Sequence, residues 1–180
     1  MNAVGRAKYR SKIDLTDAYF QTRVEPEDEK NNAFKSLFGV MASKVMLQGD
    51  KNAPATFMRI MEDILGEYLH NFVWVYIDDI LIYSDTPEEH MTHLRKVCEK
   101  LRTAQYYASR KKTTFFATQL EILGHIIDEK GIHAAPEKIR VLHEWHTPST
   151  KKELQRFLGL LNYVAQFCHT MPHWQPHSPI

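Results

Sequence analysis

The stretch that decides the fold reads Phe72-Val73-Trp74-Val75-Tyr76-Ile77-Asp78-Asp79-Ile80-Leu81-Ile82-Tyr83-Ser84. Two β-forming apolar runs meet at a pair of carboxylates, which predicts a tight hairpin with Asp78 and Asp79 at its tip. Adjacent carboxylates in an apolar setting repel each other, and neither stays ionised cheaply without a cation. Aimed into a cleft, they would be hard oxygen ligands suited to Mg²⁺. Asp-Asp is equally a turn dipeptide at a solvated hairpin end, so the pair alone leaves both readings open.

A third carboxylate lies upstream. Lys12-Ile13-Asp14 reads as the end of a strand, with a short helical turn over Thr16–Phe20 after it. If that strand lies beside the hairpin, Asp14 joins Asp78 and Asp79. Such a cluster can hold two metal ions about 3.5–4 Å apart, which activate an attacking hydroxyl and stabilise a departing phosphate. Asp14 also serves, more simply, as an N-cap for the following turn.

The remaining pattern fills in around these sites. Ala33 to Leu47 predicts a hairpin around Gly39, and Pro54 opens a helix striped by Phe57, Met58, Met61, Ile64, Leu65, Tyr68 and Leu69. A second helix starts at an N-cap Thr86, with Pro87 behind it and Glu89 completing a capping box. Gln105 to Thr118 is a basic connector laced with aromatics, and Leu120 to Ile127 predicts a strand pair around Gly124, closing at Gly131. Helices follow from Pro136 and from a second capping box, Thr150 to Glu153. Antiparallel hairpins packed under helices predict an α+β fold with an antiparallel sheet, followed by a small helical portion.

Composition bounds the function. The 180 residues carry 23 Lys+Arg against 22 Asp+Glu, so net charge does not advertise nucleic-acid binding, although a local basic patch remains compatible with it. Two cysteines, Cys98 and Cys168, make no disulfide framework and fit a reducing compartment. The longest apolar run is broken by Asp78-Asp79, and residues 1–10 lack an apolar signal core, so neither membrane insertion nor secretion is expected. Among the ten histidines, His143-Glu144-Trp145-His146 lacks the i, i+4 spacing of His-Glu-x-x-His and is not read as a metal site.

Three ordered segments carry a resemblance: Lys12-Ile13-Asp14-Leu15-Thr16-Asp17-Ala18-Tyr19-Phe20-Gln21, Leu47 through Phe57, and Tyr76 through Ser84. They resemble successive polymerase motifs of a reverse transcriptase, nearest to the gypsy-type LTR retrotransposons and to fungal members in particular. Leu123-Gly124-His125 and Lys151 through Tyr163 resemble the same family's primer-grip and thumb segments.

The resemblance implies a polymerase palm over residues 11–131 and a thumb portion over 132–172, with 1–10 a remnant of the fingers or a linker and 173–180 a tail. It implies that Asp14, Asp78 and Asp79 are metal-binding and catalytic, with two Mg²⁺ ions or Mn²⁺ in their place. Lys112 matches the lysine proposed to protonate the leaving pyrophosphate. Asp17, Ala18, Tyr19, Gln48 and Gly49 match the dNTP site, Tyr19 as the ring that rejects a ribose 2′-hydroxyl. Tyr76, Gly124, His125, Lys151, Lys152 and Arg156 match contacts to an RNA or DNA template–primer. Two positions depart from the pattern: many gypsy relatives carry Phe at Gln48, and the family usually shows Cys at Thr113.

Ahead of the Lys12-Ile13-Asp14 motif only Arg6, Lys8 and Arg10 are basic, so a fingers segment is expected to lie outside this chain. RNase H, integrase and protease parts of a polyprotein are expected there too. The rival expectation is a catalytically silent retroelement fragment that only binds nucleic acid or a protein. The expected setting is intracellular: the cytoplasm, a virus-like particle or the nucleus.

Overall fold

The computed structural model describes residues 2–165, and it divides into two compact units, residues 7–118 and residues 1–6 with 119 onward. The sequence-based palm boundary at 131 falls inside the second unit. The expected tail, the end of the thumb portion and Cys168 lie outside the described residues.

In the larger unit, strands β1 (Tyr9–Asp14), β4 (Val73–Tyr76), β5 (Asp79–Ser84) and β6 (Thr114–Ala117) form one antiparallel sheet in the order β4-β5-β1-β6. Its register sorts the side chains onto two faces, because directly opposed residues share a face and successive residues alternate. Ile13 opposes Ile80, which opposes Val75, and Val73 opposes Ile82. This face packs under helices α2 (Ala53–Leu65) and α3 (Pro87–Thr103), whose Phe57, Met61, Leu65, Leu94, Val97 and Leu101 complete the core. The other face carries Lys12, Asp14, Trp74, Tyr76 and Asp79.

Local chemistry explains the element ends. Thr86 Oγ1 accepts the Glu89 N–H at 3.3 Å, the expected cap of α3. The hairpin of β4 and β5 closes on two residues, Ile77 and Asp78. Ile77 sits at φ 54°, a left-handed conformation that is costly for a β-branched side chain. Its N–H points to the Met58 sulfur at 3.0 Å.

A second hairpin pairs β2 (Ala33–Ser36) with β3 (Gly39–Ala42), as the sequence predicts around Gly39. It is exposed apart from half-buried Ser36, and its tip residues Leu37 and Phe38 are 100% and 89% accessible.

In the smaller unit, β7 (Leu120–Ile122), β8 (His125–Asp128) and β9 (Gly131–Ala134) form an antiparallel meander that contacts α1 (Asn2–Arg6). Helices α4 (Pro136–His143) and α5 (Lys151–Ala165) pack on each other. Glu153 closes a two-way cap on α5: its Oε2 accepts the Thr150 N–H at 3.3 Å, and its own N–H reaches Thr150 Oγ1 at 3.2 Å.

Four elements depart from the sequence reading. β1 begins at Tyr9, three residues before the expected Lys12, because Arg10 is drawn inside and donates from its guanidinium to the Thr118 carbonyl at 3.1 Å. The connector expected over Gln105 to Thr118 ends in β6, a short strand at the sheet edge with Phe115 exposed, whose pairing with β1 gives no local signal. The expected strand pair gains β9 as a third member, and α1 occupies a segment that carries no strong local signal.

Candidate active site

Strand pairing brings two distant carboxylates together. Asp14, at the end of β1, is the cross-strand partner of Asp79, the first residue of β5. Opposed positions place side chains about 5 Å apart at Cβ, so the two acids share one end of the face that turns away from the helices. Each has a lysine beside it. Lys12 Nζ lies 3.0 Å from Asp79 Oδ1, and Lys112 Nζ lies 3.6 Å from Asp14 Oδ1. The last separation is too long for a hydrogen bond, and Asp14 Oδ1 is shielded from solvent with no hydrogen-bond partner. That shielded oxygen has the Lys112 ammonium at ion-pair distance but nothing in direct contact, which leaves its lone pairs open to a divalent ion.

Asp78 occupies the turn, one position outside the ladder. Its carbonyl accepts the Leu15 N–H at 3.4 Å, tying the hairpin tip to the residue after Asp14. Its carboxylate raises the Tyr19 phenol above its usual range, second to the effect of burial. The ladder thus pairs Asp14 with Asp79 and leaves Asp78 in the adjoining turn, with its charge felt at Tyr19. Among the described residues no three His, Cys, Asp or Glu side chains form a ready-made metal cluster, so the facing pair is the nucleus of any such site.

The residues matched to a nucleotide site lie on local turns. Asp17 takes φ 44° and opens a short 3-10 turn, Ala18–Gln21, in which Ala18 is buried. Tyr19 meets Phe57 edge-on, with ring centroids 5.7 Å apart. Gln48 and Gly49 sit in a loop braced by the Leu47 N–H on Asp50 Oδ2 at 2.9 Å. Gly49 has φ 103° with open space around it, so the backbone conformation is what requires glycine there. Tyr76 is half-exposed beside Asp79 and stacks on Trp74 with 6° between the rings.

In the smaller unit, Gly124 and His125 are engaged by α5. The Tyr163 hydroxyl donates to the Leu123 carbonyl at 2.7 Å and lies 3.1 Å from His125 Nδ1, while the two rings stack at 4.7 Å. A Cβ at Gly124 would come 2.9 Å from that hydroxyl, and its φ of 74° is already left-handed. Burial lowers the His125 pKa. Lys151, Lys152 and Arg156 are exposed on α5.

Sequence reasoning passed over Lys12, the partner of Asp79, although its i, i+2 spacing from Asp14 puts both on one strand face. It also passed over Gln21, whose side chain joins two segments far apart in the chain. No local signal marks that contact, which depends on the tertiary fold.

Comparisons with known proteins agree with this architecture. The family model described as "Reverse transcriptase (RNA-dependent DNA polymerase)" matches residues 1–127. The retrovirus-related Pol polyprotein from transposon opus of Drosophila melanogaster is 38% identical over 165 residues, covering 92% of this chain and 16% of that protein. The transposon Tf2-3 polyprotein of Schizosaccharomyces pombe is 38% identical over 157 residues, 87% of this chain and 12% of that protein. The chain thus spans less than a fifth of the polyproteins it resembles.

Among solved structures, a foamy viral protease-reverse transcriptase with double-stranded DNA superposes with a TM-score of 0.80 at 31% identity, covering 88% of this chain and 28% of that one. The same viral protein with an RNA/DNA hybrid gives 0.76 at 30% identity, covering 89% and 22%. On the matched model, the relatives and the paired aspartates at the end of the sheet, the chain belongs to the reverse transcriptase (RNA-dependent DNA polymerase) family.

Proposed function

We propose that this chain is the palm and part of the thumb of an RNA-directed DNA polymerase, extending a primer 3′-hydroxyl with dNTPs on an RNA or DNA template. The observation that carries the proposal is the cross-strand pairing of Asp14 with Asp79, with a shielded Asp14 oxygen that accepts no hydrogen bond. Asp14, Asp78 and Asp79 would hold two divalent ions, Mg²⁺ or Mn²⁺ in its place, which when bound supply activation of the attacking hydroxyl and neutralisation of phosphate charge.

The chain's own groups do the rest. In this reading Tyr19, which packs on Phe57, is the flat wall under the sugar of the incoming nucleotide, the backbone N–H groups of Asp17 and Ala18 meet its triphosphate, and Gln48 and Gly49 pack on it. Lys112, 3.6 Å from Asp14 Oδ1, is the group we assign to give a proton to departing pyrophosphate. Tyr76 on its Trp74 support meets the primer end, and Gly124, His125, Lys151, Lys152 and Arg156 act on the template–primer, the last three by sequence-independent phosphate contact. The foamy viral neighbours bound to double-stranded DNA and to an RNA/DNA hybrid support a duplex ligand of this kind.

The source we infer is a gypsy-type LTR element, whose polyprotein also supplies protease, RNase H and integrase. A fungal host gains no weight, since the insect and Schizosaccharomyces pombe relatives are equally identical at 38%. We place its work inside the cell, in the cytoplasm, a virus-like particle or the nucleus.

The test is primer extension on an RNA template with Mg²⁺, run on this chain alone and with a fingers segment fused ahead of it. Extension that disappears in Asp79→Asn is the expected result. A folded, fused protein that extends nothing rejects the polymerase, and duplex binding that survives Asp79→Asn then favours a silent binding module.

A further inference from the structure

We propose that Gln21 is a positioning residue: its side-chain amide stands in for a missing strand and holds the 106–113 segment so that Lys112 faces Asp14. Gln21 Oε1 accepts the Tyr107 N–H at 2.6 Å, and its Nε2 donates back to the Tyr107 carbonyl at 3.1 Å. The second Nε2 proton goes to the Thr16 carbonyl. Both backbone groups of Tyr107 are thus satisfied by one side chain 86 residues away in sequence. The orientation of the amide follows from its partners, because the flipped form would set an oxygen against two carbonyls.

What Gln21 grips leads straight to the acidic pair. The Thr16 N–H donates to the Tyr107 carbonyl at 3.0 Å, Leu15 bridges Ala108, and the Ser109 N–H donates to the Asp14 carbonyl at 2.8 Å. The Ser109 carbonyl then accepts the Lys112 and Thr113 N–H groups, at 3.2 and 2.9 Å, and this turn brings Lys112 back toward Asp14. The Lys112 side chain is 71% exposed, so packing does little to aim it and the segment's backbone sets its direction. Asparagine is one methylene too short to span the same gap. Glutamate keeps the acceptor, loses both donors and faces two carbonyl oxygens with negative charge.

The segment has a separate anchor in Tyr106, whose hydroxyl meets Thr22 Oγ1 at 2.9 Å and whose ring meets Phe57. Removing Gln21 should therefore loosen residues 107–113 without unfolding the unit.

Two measurements on the 180-residue chain test this, with Gln21→Ala and Gln21→Glu as variants. In amide hydrogen exchange, Tyr107, Ser109 and Lys112 should exchange at least tenfold faster in Gln21→Ala while α3 amides stay unchanged; rates within twofold of wild type overturn the proposal. If Gln21→Ala does not fold, Gln21→Glu is held to the same criterion. The kinetic arm rests on the polymerase reading and uses the fused protein. Gln21→Ala should lower kcat about tenfold with the dNTP KM within threefold, and should lower it no further in a Lys112→Ala background. An undiminished fall in that background overturns the link to Lys112. Absence of extension by wild type counts against the polymerase reading alone, and exchange then decides the role of Gln21.

Discussion

His90 offers the sharpest thermodynamic prediction, because a fully buried imidazole joins two strands of the sheet. Its Nε2 lies 2.7 Å from Ser11 Oγ on β1, and its Nδ1 lies 2.9 Å from Ser84 Oγ on β5. Ser11 Oγ already accepts the Phe116 N–H at 3.0 Å, so its single proton is free to go to Nε2. The ring then carries its proton on Nδ1 and donates to Ser84, whose own proton reaches His93 Nδ1 at 2.8 Å. Every donor in this chain is used when His90 is neutral. Protonation would put two N–H groups on Ser11 and strand its hydroxyl proton.

The surroundings offer no compensation for a charge. The Tyr9 and Phe116 rings flank His90, and the nearby ionisable groups on α3 are His93, Glu89 and Lys96. Burial, and secondarily His93, lowers the His90 pKa from 6.5 to about 4. The unfolded chain therefore binds the proton more readily. The stability that neutral His90 confers is fully present above about pH 6.5 and is lost as pH falls toward 4. At about 1.4 kcal/mol per pH unit, that interval amounts to about 3 kcal/mol. Urea unfolding at pH 7 and pH 4.5, in wild type and His90→Gln, measures it. Wild type should lose about 2–3 kcal/mol more than the variant between those values. Parallel losses in the two proteins would refute the assignment of a neutral, doubly bonded ring.

Two further perturbations have defined outcomes. Gly124→Ala meets both a left-handed backbone and the Tyr163 hydroxyl 2.9 Å from the added carbon, and should cost about 1–3 kcal/mol in thermal or urea unfolding. Adding Tyr163→Phe should recover part of that loss by removing the clashing oxygen. Phe57→Ala empties a fully buried site shared with the Tyr19 and Tyr106 rings, and should cost about 3–5 kcal/mol in the same assay.

The parts of this fold legible in sequence are those with local causes. The Thr86 and Thr150 caps, the helix phase of Phe57 through Leu65 and the hairpin of β4 and β5 each follow from residues within a few positions of one another, although the hairpin's turn falls at Ile77-Asp78, one residue before the expected Asp78-Asp79. β6 and the first half of β1 were hidden because pairing, not composition, makes them strands: Arg10 reads as surface yet lies buried with its guanidinium on the Thr118 carbonyl. The pairing of Asp14 with the hairpin was expected from the strand end, but the sequence did not carry the register. That register makes Asp79 the partner and leaves Asp78 beside Tyr19. Gln21 and the Ser11–His90–Ser84 chain were invisible for the same reason, each joining segments brought together only by the completed sheet.

The central claim is that acids from β1 and β5 bind divalent cations in common. Electron paramagnetic resonance of Mn²⁺ titrated into the chain with a template–primer measures it directly. The account predicts bound Mn²⁺ in wild type that is lost in both Asp14→Asn and Asp79→Asn, with folding intact. Equal Mn²⁺ binding by wild type and either variant would contradict it.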